Sequence, residues 1–319
     1  MKINCEGVNV VARRVVVLAG GSSSEREVSL QSGLACAQAL ERLGHSVVFV
    51  DYSDFRAAIS RILEAQPDVV FNALHGPLGE DGSVQGFLNL LGVPYTHSGV
   101  CASAVAMDKN LAKKVLGLAG IRTPDGVMVG AGDISGFSDV SVGMPFVVKP
   151  NSEGSSKGVF IVTTENGFQK AWDEAVEYSD EMLIEEFIPG EELTVTVLEG
   201  QPLGVTKLVP SGDFYDYGAK YTSGRTSHYF PADIPSDVYE MAMKMAVGAH
   251  HALGCRAISR ADFRYDPERR EDEWRGLFLL EVNTQPGMTE LSLAPEQAAH
   301  SGISFDNFVQ KLLDLATVD

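Results

Sequence analysis

Two short segments near the C-terminus of the 319-residue chain place groups that could act on a phosphate. In A-I-S-R-A-D-F (257–263) the period of two in a strand puts Arg260 and Asp262 on one face, and in L-L-E-V-N-T (279–284) it separates Glu281 and Asn283 from Leu280 and Val282. Between them Tyr265 to Gly276 is polar and contains a proline, so the two strands read as a hairpin. Two carboxylates, an amide and a guanidinium then share a face. Magnesium takes hard oxygen ligands and usually combines one or two carboxylates with substrate phosphates, which this set could supply. A solvated sheet face would show the same alternation.

Two further segments could serve the same chemistry. In K-P-N-S-E-G-S-S-K-G-V (149–159) a lysine ends a strand, and a loop of small residues follows that could fold closely over phosphates. A plain hairpin turn has the same composition, and G-x-x-x-x-G-K-[ST] is absent. In L-I-E-E-F-I-P-G-E-E (183–192) carboxylates flank a strand crossover beside Phe and Ile, a set able to hold an amino-purine and ribose hydroxyls. An acidic interdomain linker would read alike. After the first strand G-G-S-S-S-E-R-E-V-S lacks G-x-G-x-x-G, which speaks against a dinucleotide-dependent dehydrogenase.

The elements that must position these groups follow an α/β order. Residues 14–105 alternate apolar runs (V-V-V-L-A at 15–19, S-V-V-F-V at 46–50, D-V-V-F-N at 68–72) with a helical spacing of Leu30, Leu34, Ala37, Leu40 and Leu43 that stops at Gly44. This is a βαβ layer, whose ligands sit beyond the carboxyl ends of the strands, where Gly20-Gly21 and His75-Gly76 fall. Residues 106–189 read as a small α+β domain, with a helix over 109–118, strands at 123–129, 146–150, 159–162 and 182–187, and a helix near 165–178. Residues 190–319 open with E-L-T-V-T-V-L, whose alternation predicts a half-buried strand, and continue through a polar, aromatic loop at 209–228, a helix near 236–253, two strands and C-terminal helices. Residues 1–13 read as an extension outside the fold.

Composition narrows the function. With 45% hydrophobic and 21% charged residues the chain can bury a core, and its net charge of −18 repels nucleic acid unless a local basic patch intervenes. Any anionic substrate must be received by a few placed lysines, arginines and metal ions. The four cysteines are scattered without a C-x-x-C pair, as expected for reduced thiols in a cytoplasmic protein. No apolar run approaches a membrane span.

In order along the chain, the sequence resembles the ATP-grasp ligases, and among them the D-alanine:D-alanine ligases. The segments are G-G-S-S-S-E-R-E-V-S-L-Q-S-G (20–33), H-G-P-L-G-E-D-G-S-V-Q-G (75–86), P-Y-T-H-S-G-V-C-A-S-A-V-A-M-D-K (94–109), V-K-P-N-S-E-G-S-S-K-G-V (148–159), Y-D-Y-G-A-K-Y (215–221), R-A-D-F (260–263) and E-V-N-T-Q-P-G-M-T (281–289). The resemblance implies a three-domain architecture, with an N-terminal parallel-sheet domain and ATP held between two α+β domains. It implies that Lys109 and Lys149 contact nucleotide phosphates, that Glu185 meets adenine and Glu192 ribose, and that Glu186, Ile188 and Lys220 complete the nucleotide site. At Glu186 the family often carries a basic residue, so this chain departs from the pattern there. Asp262, Glu281 and Asn283 would hold two magnesium (or manganese) ions, in agreement with the strand-face argument.

The implied reaction has two steps. One D-alanine carboxylate attacks the γ-phosphate of ATP to give an acyl phosphate, and the amino group of a second D-alanine displaces phosphate to form the dipeptide used for peptidoglycan precursors. The resemblance gives Glu25 the first ammonium, His75 the positioning of that substrate, and Ser292 with Leu293 the border of the second. Arg260 and the Gly287 N–H would stabilise the oxyanion. Ser155 and Tyr221 would link with Glu25 as the loop at 209–228 closes and excludes water. The alternatives are a D-alanine:D-lactate ligase, against which Tyr221 argues, and a nucleotide-binding module without catalysis. A homodimer built through the N-terminal domain is the implied assembly.

Overall fold

The computed structural model describes residues 11–210 and 225–319; Lys220 and Tyr221 lie outside the described residues. Strands β1 (Arg14–Ala19), β2 (Ser46–Asp51) and β3 (Val69–Asn72) form a parallel sheet in the order β2-β1-β3. Val17 pairs with Phe49 on one side and Phe71 on the other. Both faces of this sheet are covered. Val15 and Val17 enter one core and Val16 and Leu18 another, which is why the strand reads as an unbroken apolar run.

Helix α1 (Arg26–Arg42) packs on the sheet with a face of small residues. Leu34, part of the apolar spacing in the sequence, is 54% exposed, while Ser29, Ser32, Gly33, Cys36 and Ala37 are buried. The cause is close approach, since a Cβ on Gly33 would stand 2.4 Å from that of Ala19. Helices α2 (Phe55–Ala65), α3 (Ser83–Leu91), α4 (Val100–Met107) and α5 (Lys109–Leu118) follow, and α2 and α5 begin at Asp54 and Asp108, whose carboxylates accept backbone N–H bonds.

The second sheet is antiparallel, with β4 (Gly126–Gly130), β5 (Phe146–Pro150), β6 (Phe160–Val162) and β7 (Glu181–Glu186) in the order β4-β7-β5-β6. Helix α6 (Glu165–Ala175), capped by Thr164, lays Phe168 and Trp172 against Phe146 and Val148. Covering one face this way leaves the other to line a groove.

The third sheet holds β8 (Glu191–Leu198), β9 (Gln201–Pro210), β10 (Thr226–Tyr229), β11 (Ile258–Tyr265) and β12 (Leu277–Asn283) in the order β10-β9-β8-β11-β12. The half-buried expectation for E-L-T-V-T-V-L is corrected: from Leu193 to Leu198 every residue is buried. Leu193, Val195 and Val197 pack with α7 (Ser236–Ala252), and the intervening threonines are covered as well. Thr194 Oγ1 donates to Asp262 Oδ1 (2.6 Å) and Thr196 N to Gln297 Oε1 (2.8 Å). A polar alternation here marks a hydrogen-bonded interior.

Packing also crosses the linear order. Helices α8 (Leu293–His300) and α9 (Phe305–Asp314) return to the first sheet, where Phe308, Leu312 and Leu313 share a core with Val15, Leu40 and Phe71. Ala112 and Leu116 of α5 join the core beneath the third sheet. Among the described residues, no helix is long and apolar enough to cross a membrane.

Candidate active site

The register of β11 and β12 sets Arg260 opposite Asn283 and Asp262 opposite Glu281, and the ladder shifts between Asp262 and Phe263. Arg260 and Asp262 lie two apart on one strand, so their side chains meet: Nε and Nη2 donate to the two carboxylate oxygens at 2.9 and 2.7 Å. With the Thr194 hydroxyl this fixes the carboxylate plane. Glu281 Oε2 lies 3.8 Å from Lys109 Nζ, and Asn283 Oδ1 accepts the Gln285 N–H at 2.7 Å. Among the described residues no three His, Cys, Asp or Glu side chains gather as a metal cage. Asp262, Glu281 and Asn283 offer only oxygen donors on neighbouring strand positions, a set that suits a hard divalent ion sharing its shell with phosphate and water.

Facing this hairpin is a wall made by two loops. Glu25 starts α1, and its Oε1 accepts a hydrogen bond from Ser155 Oγ. Ser155 and Ser156 both adopt left-handed backbone (φ 52° and 57°), and Lys157 Nζ donates to Ser24 O at 3.0 Å, holding the small-residue loop against the start of α1. His75 is buried, and Ser23 Oγ donates to its carbonyl. Its Nδ1 lies 3.7 Å from Glu80 Oε2. Burial presses the imidazole pKa down, but the charges of Glu80 and Glu25 outweigh it and leave the pKa raised. Burial and the negative charge of Glu25 push the Glu80 carboxyl up, partly offset by His75. Gly287 completes the wall; a Cβ there would stand 2.8 Å from Ser292 Oγ, and Leu293 is buried beside it.

Glu25, His75, Glu80, Ser155, Arg260, Glu281, Asn283 and Gly287 line one cleft, and a second opens between the second and third sheets. Val147, Ile161, Phe187, Ile188 and Leu280 give the second an apolar slot, while Lys149, Glu185, Glu186 and Glu192 give it charge. Lys149 Nζ pairs with Glu185 Oε1, and Lys113 Nζ donates to Glu185 Oε2 at 2.8 Å. Burial raises the Glu185 pKa, but the two lysines outweigh it and hold the carboxyl below its ordinary value. Glu186 turns to Arg269 (2.6 Å), and Glu192 lies 3.7 Å from Arg264, whose Nε donates to the Ile188 carbonyl. Lys109, Glu153 and Glu281 border both clefts. A small amino acid in one and a nucleotide in the other would meet at these side chains.

A family model described as the C-terminus of D-ala D-ala ligase matches residues 132–314, and one for its N-terminus matches 52–98. The chain belongs to the D-alanine–D-alanine ligase family. It is 51% identical to the D-alanine–D-alanine ligase of Rhizorhabdus wittichii over 310 residues (95% of this chain, 96% of that one), and 51% identical to that of Paramagnetospirillum magneticum (97% and 100%). Two crystal structures of the Bacillus anthracis D-alanine–D-alanine ligase superpose with TM-scores of 0.83 and 0.82, at 33% and 30% identity. Each covers 95% of this chain and 97% of its own, and the second is complexed with ATP. The expected ATP-grasp fold is thereby established, and the protein is a ligase.

Within this ligase scaffold the structure brings together Glu25, His75, Lys109, Ser155, Arg260, Glu281, Asn283, Gly287, Ser292 and Leu293 in the first cleft, and Lys149, Glu185, Glu186, Ile188, Glu192 and Asp262 in the second. Sequence reasoning overlooked Glu80, Glu153, Lys113 and Gln285. Lys113 carried a usable signal, four residues after Lys109 on one helix. Gln285 did not: it is buried, its Nε2 donates to the Leu74 carbonyl, and its Oε1 accepts from Asn72 Nδ2 at 2.9 Å, so it ties the His75 loop to the end of β12.

Proposed function

We propose that this chain ligates two molecules of D-alanine at the expense of ATP, through an acyl phosphate, releasing ADP and phosphate. The observation that carries this reading is the junction of the two clefts at Lys109, Glu153 and Glu281, which sets an amino-acid pocket holding Glu25 and Arg260 beside a groove suited to a purine nucleotide. Glu25 receives the ammonium of the first D-alanine, with Ser155 fixing the carboxylate through its hydroxyl. His75, beside Glu80, lies on the same wall and positions the substrate carboxylate.

The carboxylate oxygen attacks the γ-phosphorus in line and the β,γ-bridging oxygen leaves with ADP. Such transfers depend on positioning and on cancelling charge at the equatorial oxygens. Lys109, Lys149 and Arg260 supply that charge. Asp262, Glu281 and Asn283 would hold two magnesium or manganese ions, which when bound add further charge neutralisation at the phosphates. The second amine then attacks the acyl carbon, and the Arg260 guanidinium with the Gly287 N–H stabilises the oxyanion before phosphate departs. Ser292 and Leu293 border that second substrate. We place the enzyme in the cytoplasm as a homodimer through its N-terminal domain, where Leu34, Phe55, Leu63 and Leu90 are exposed.

The test is ADP release from the purified chain with D-alanine, L-alanine or D-lactate beside D-alanine, with the product identified by mass. D-alanyl-D-alanine that requires both ATP and a divalent ion is the expected result. Ester as the main product at neutral pH would replace it with the depsipeptide reaction, and ATP binding without turnover on any D-amino acid with a non-catalytic role.

A further inference from the structure

Lys113 has no part in the reaction described above, yet it is the second cation on the carboxylate at the floor of the nucleotide groove. It sits one turn beyond Lys109 on α5, about 6 Å along the axis, with its side chain 13% exposed. Its ammonium donates to Oε2 of Glu185 while Lys149 takes Oε1, and the Glu185 side chain is 3% exposed. One buried carboxylate thus stands between two ammonium groups.

We infer that Lys113 is a positioning residue for nucleotide binding, keeping Glu185 charged and its Oε1 edge turned to the groove when Lys149 moves to the phosphates. This rests on the reading of the groove as an ATP site. The argument is charge balance. When Lys149 shares its ammonium with a phosphate oxygen its hold on Glu185 weakens, and a buried carboxylate with less counter-charge is disfavoured. Lys113 stays on the far oxygen and removes that penalty. The bond through Oε2 also fixes the carboxylate plane, leaving the other oxygen as an acceptor for the amino group of a purine. Burial presses the Lys113 pKa down while Glu185 opposes it, as expected of a lysine retained for one partner. Without Lys113, Glu185 would hold Lys149 for itself and compete with the nucleotide.

The test uses Lys113→Met, Lys113→Gln and Lys113→Arg in the full chain, with steady-state kinetics for ATP and D-alanine and calorimetric binding of Mg-ADP. Lys113→Met should raise the KM for ATP and the Kd for ADP about tenfold or more and leave the KM for D-alanine within about twofold. Lys113→Arg should recover most of the loss, because a guanidinium can still pair with Oε2. If Lys113→Met fails to fold, Lys113→Gln carries the comparison. Added to Glu185→Gln, either neutral substitution should cost little more than Glu185→Gln alone, since the two residues act through one contact. Nucleotide affinity unchanged in both neutral variants, or a full additive loss on the Glu185→Gln background, would overturn the inference. A wild-type chain whose ADP affinity depends on Lys113 but which ligates no D-amino acid would overturn the proposed reaction and leave this inference standing.

Discussion

Substituting Arg260 by lysine keeps the charge on β11 and removes its shape. The guanidinium makes two bonds to Asp262, from Nε at 2.9 Å and Nη2 at 2.7 Å, with both side chains mostly buried. An ammonium is a point donor and can hold only one carboxylate oxygen at that reach, so one charge-assisted bond worth about 1.5–3 kcal/mol is lost. Arg260 lines the same cleft as Glu25 and Gly287, so the lost bond loosens a cation at that cleft. If the full bond energy is realised at the transition state, turnover falls about 10- to 150-fold. Arg260→Met, which deletes the donor altogether, should fall by about 100- to 1,000-fold or more. The assay is D-alanine-dependent ADP release with ATP titrated at saturating D-alanine, which separates kcat from the KM for ATP, and a thermal melt of each variant shows that it is folded. A lysine variant within threefold of wild type in kcat, or one whose loss lies wholly in the KM for ATP, would refute the idea that this guanidinium acts on the reacting centre.

Glu25→Gln should raise the KM for D-alanine about tenfold or more, because the amide keeps a partner for Ser155 but loses the charge that pairs with an ammonium; titrating each substrate at saturating ATP checks this. His97 is buried with its pKa pressed down from 6.5 to about 3 by burial, with His75 and Arg256 adding to the effect. Its neutral form is therefore favoured by folding, so this contribution is complete above pH 6.5 and is lost as pH falls towards 3, at about 1.4 kcal/mol per unit. Urea unfolding between pH 7 and 5 should show that slope reduced in His97→Gln. At Gly190 (φ 94°) an added Cβ would stand 2.1 Å from the Tyr265 carbonyl, whereas at Gly254 (φ 71°) nothing lies within 4 Å. Gly190→Ala should cost about 3 kcal/mol or more from strain and clash together, and Gly254→Ala about 1 kcal/mol, as read from chemical denaturation.

The strand hairpin at 257–284 was legible because a period of two fixes which side chains share a face, and that geometry survives folding. The first sheet was legible for the same kind of reason: strands covered on both sides must be apolar throughout, and V-V-V-L-A has no other use. E-L-T-V-T-V-L misled because the Thr194 hydroxyl and the Thr196 backbone N–H are satisfied by Asp262 and Gln297, partners more than 60 residues away. Strand β9 went unread since Pro202, Gly204 and Lys207 interrupt its apolar series, although its neighbours supply the ladder. The candidate site divides in the same way. Motif residues such as Glu25, Lys149 and Asp262 could be named from the chain, whereas the roles of Lys113 and Gln285 come from partners distant in sequence, Glu185 and Asn72 with Leu74.

The bridge from Gln285 to Asn72 and the Leu74 carbonyl has a consequence for exchange of parts between relatives. A chimaera that takes its first hundred residues from one parent and its tail from another inherits the two halves of a buried polar contact separately. Wherever the donor lacks a matching amide at the joint, the graft would strand the unpaired Leu74 carbonyl two residues beyond the end of β3. Viable crossovers should therefore carry both halves together, however well each parental piece folds alone.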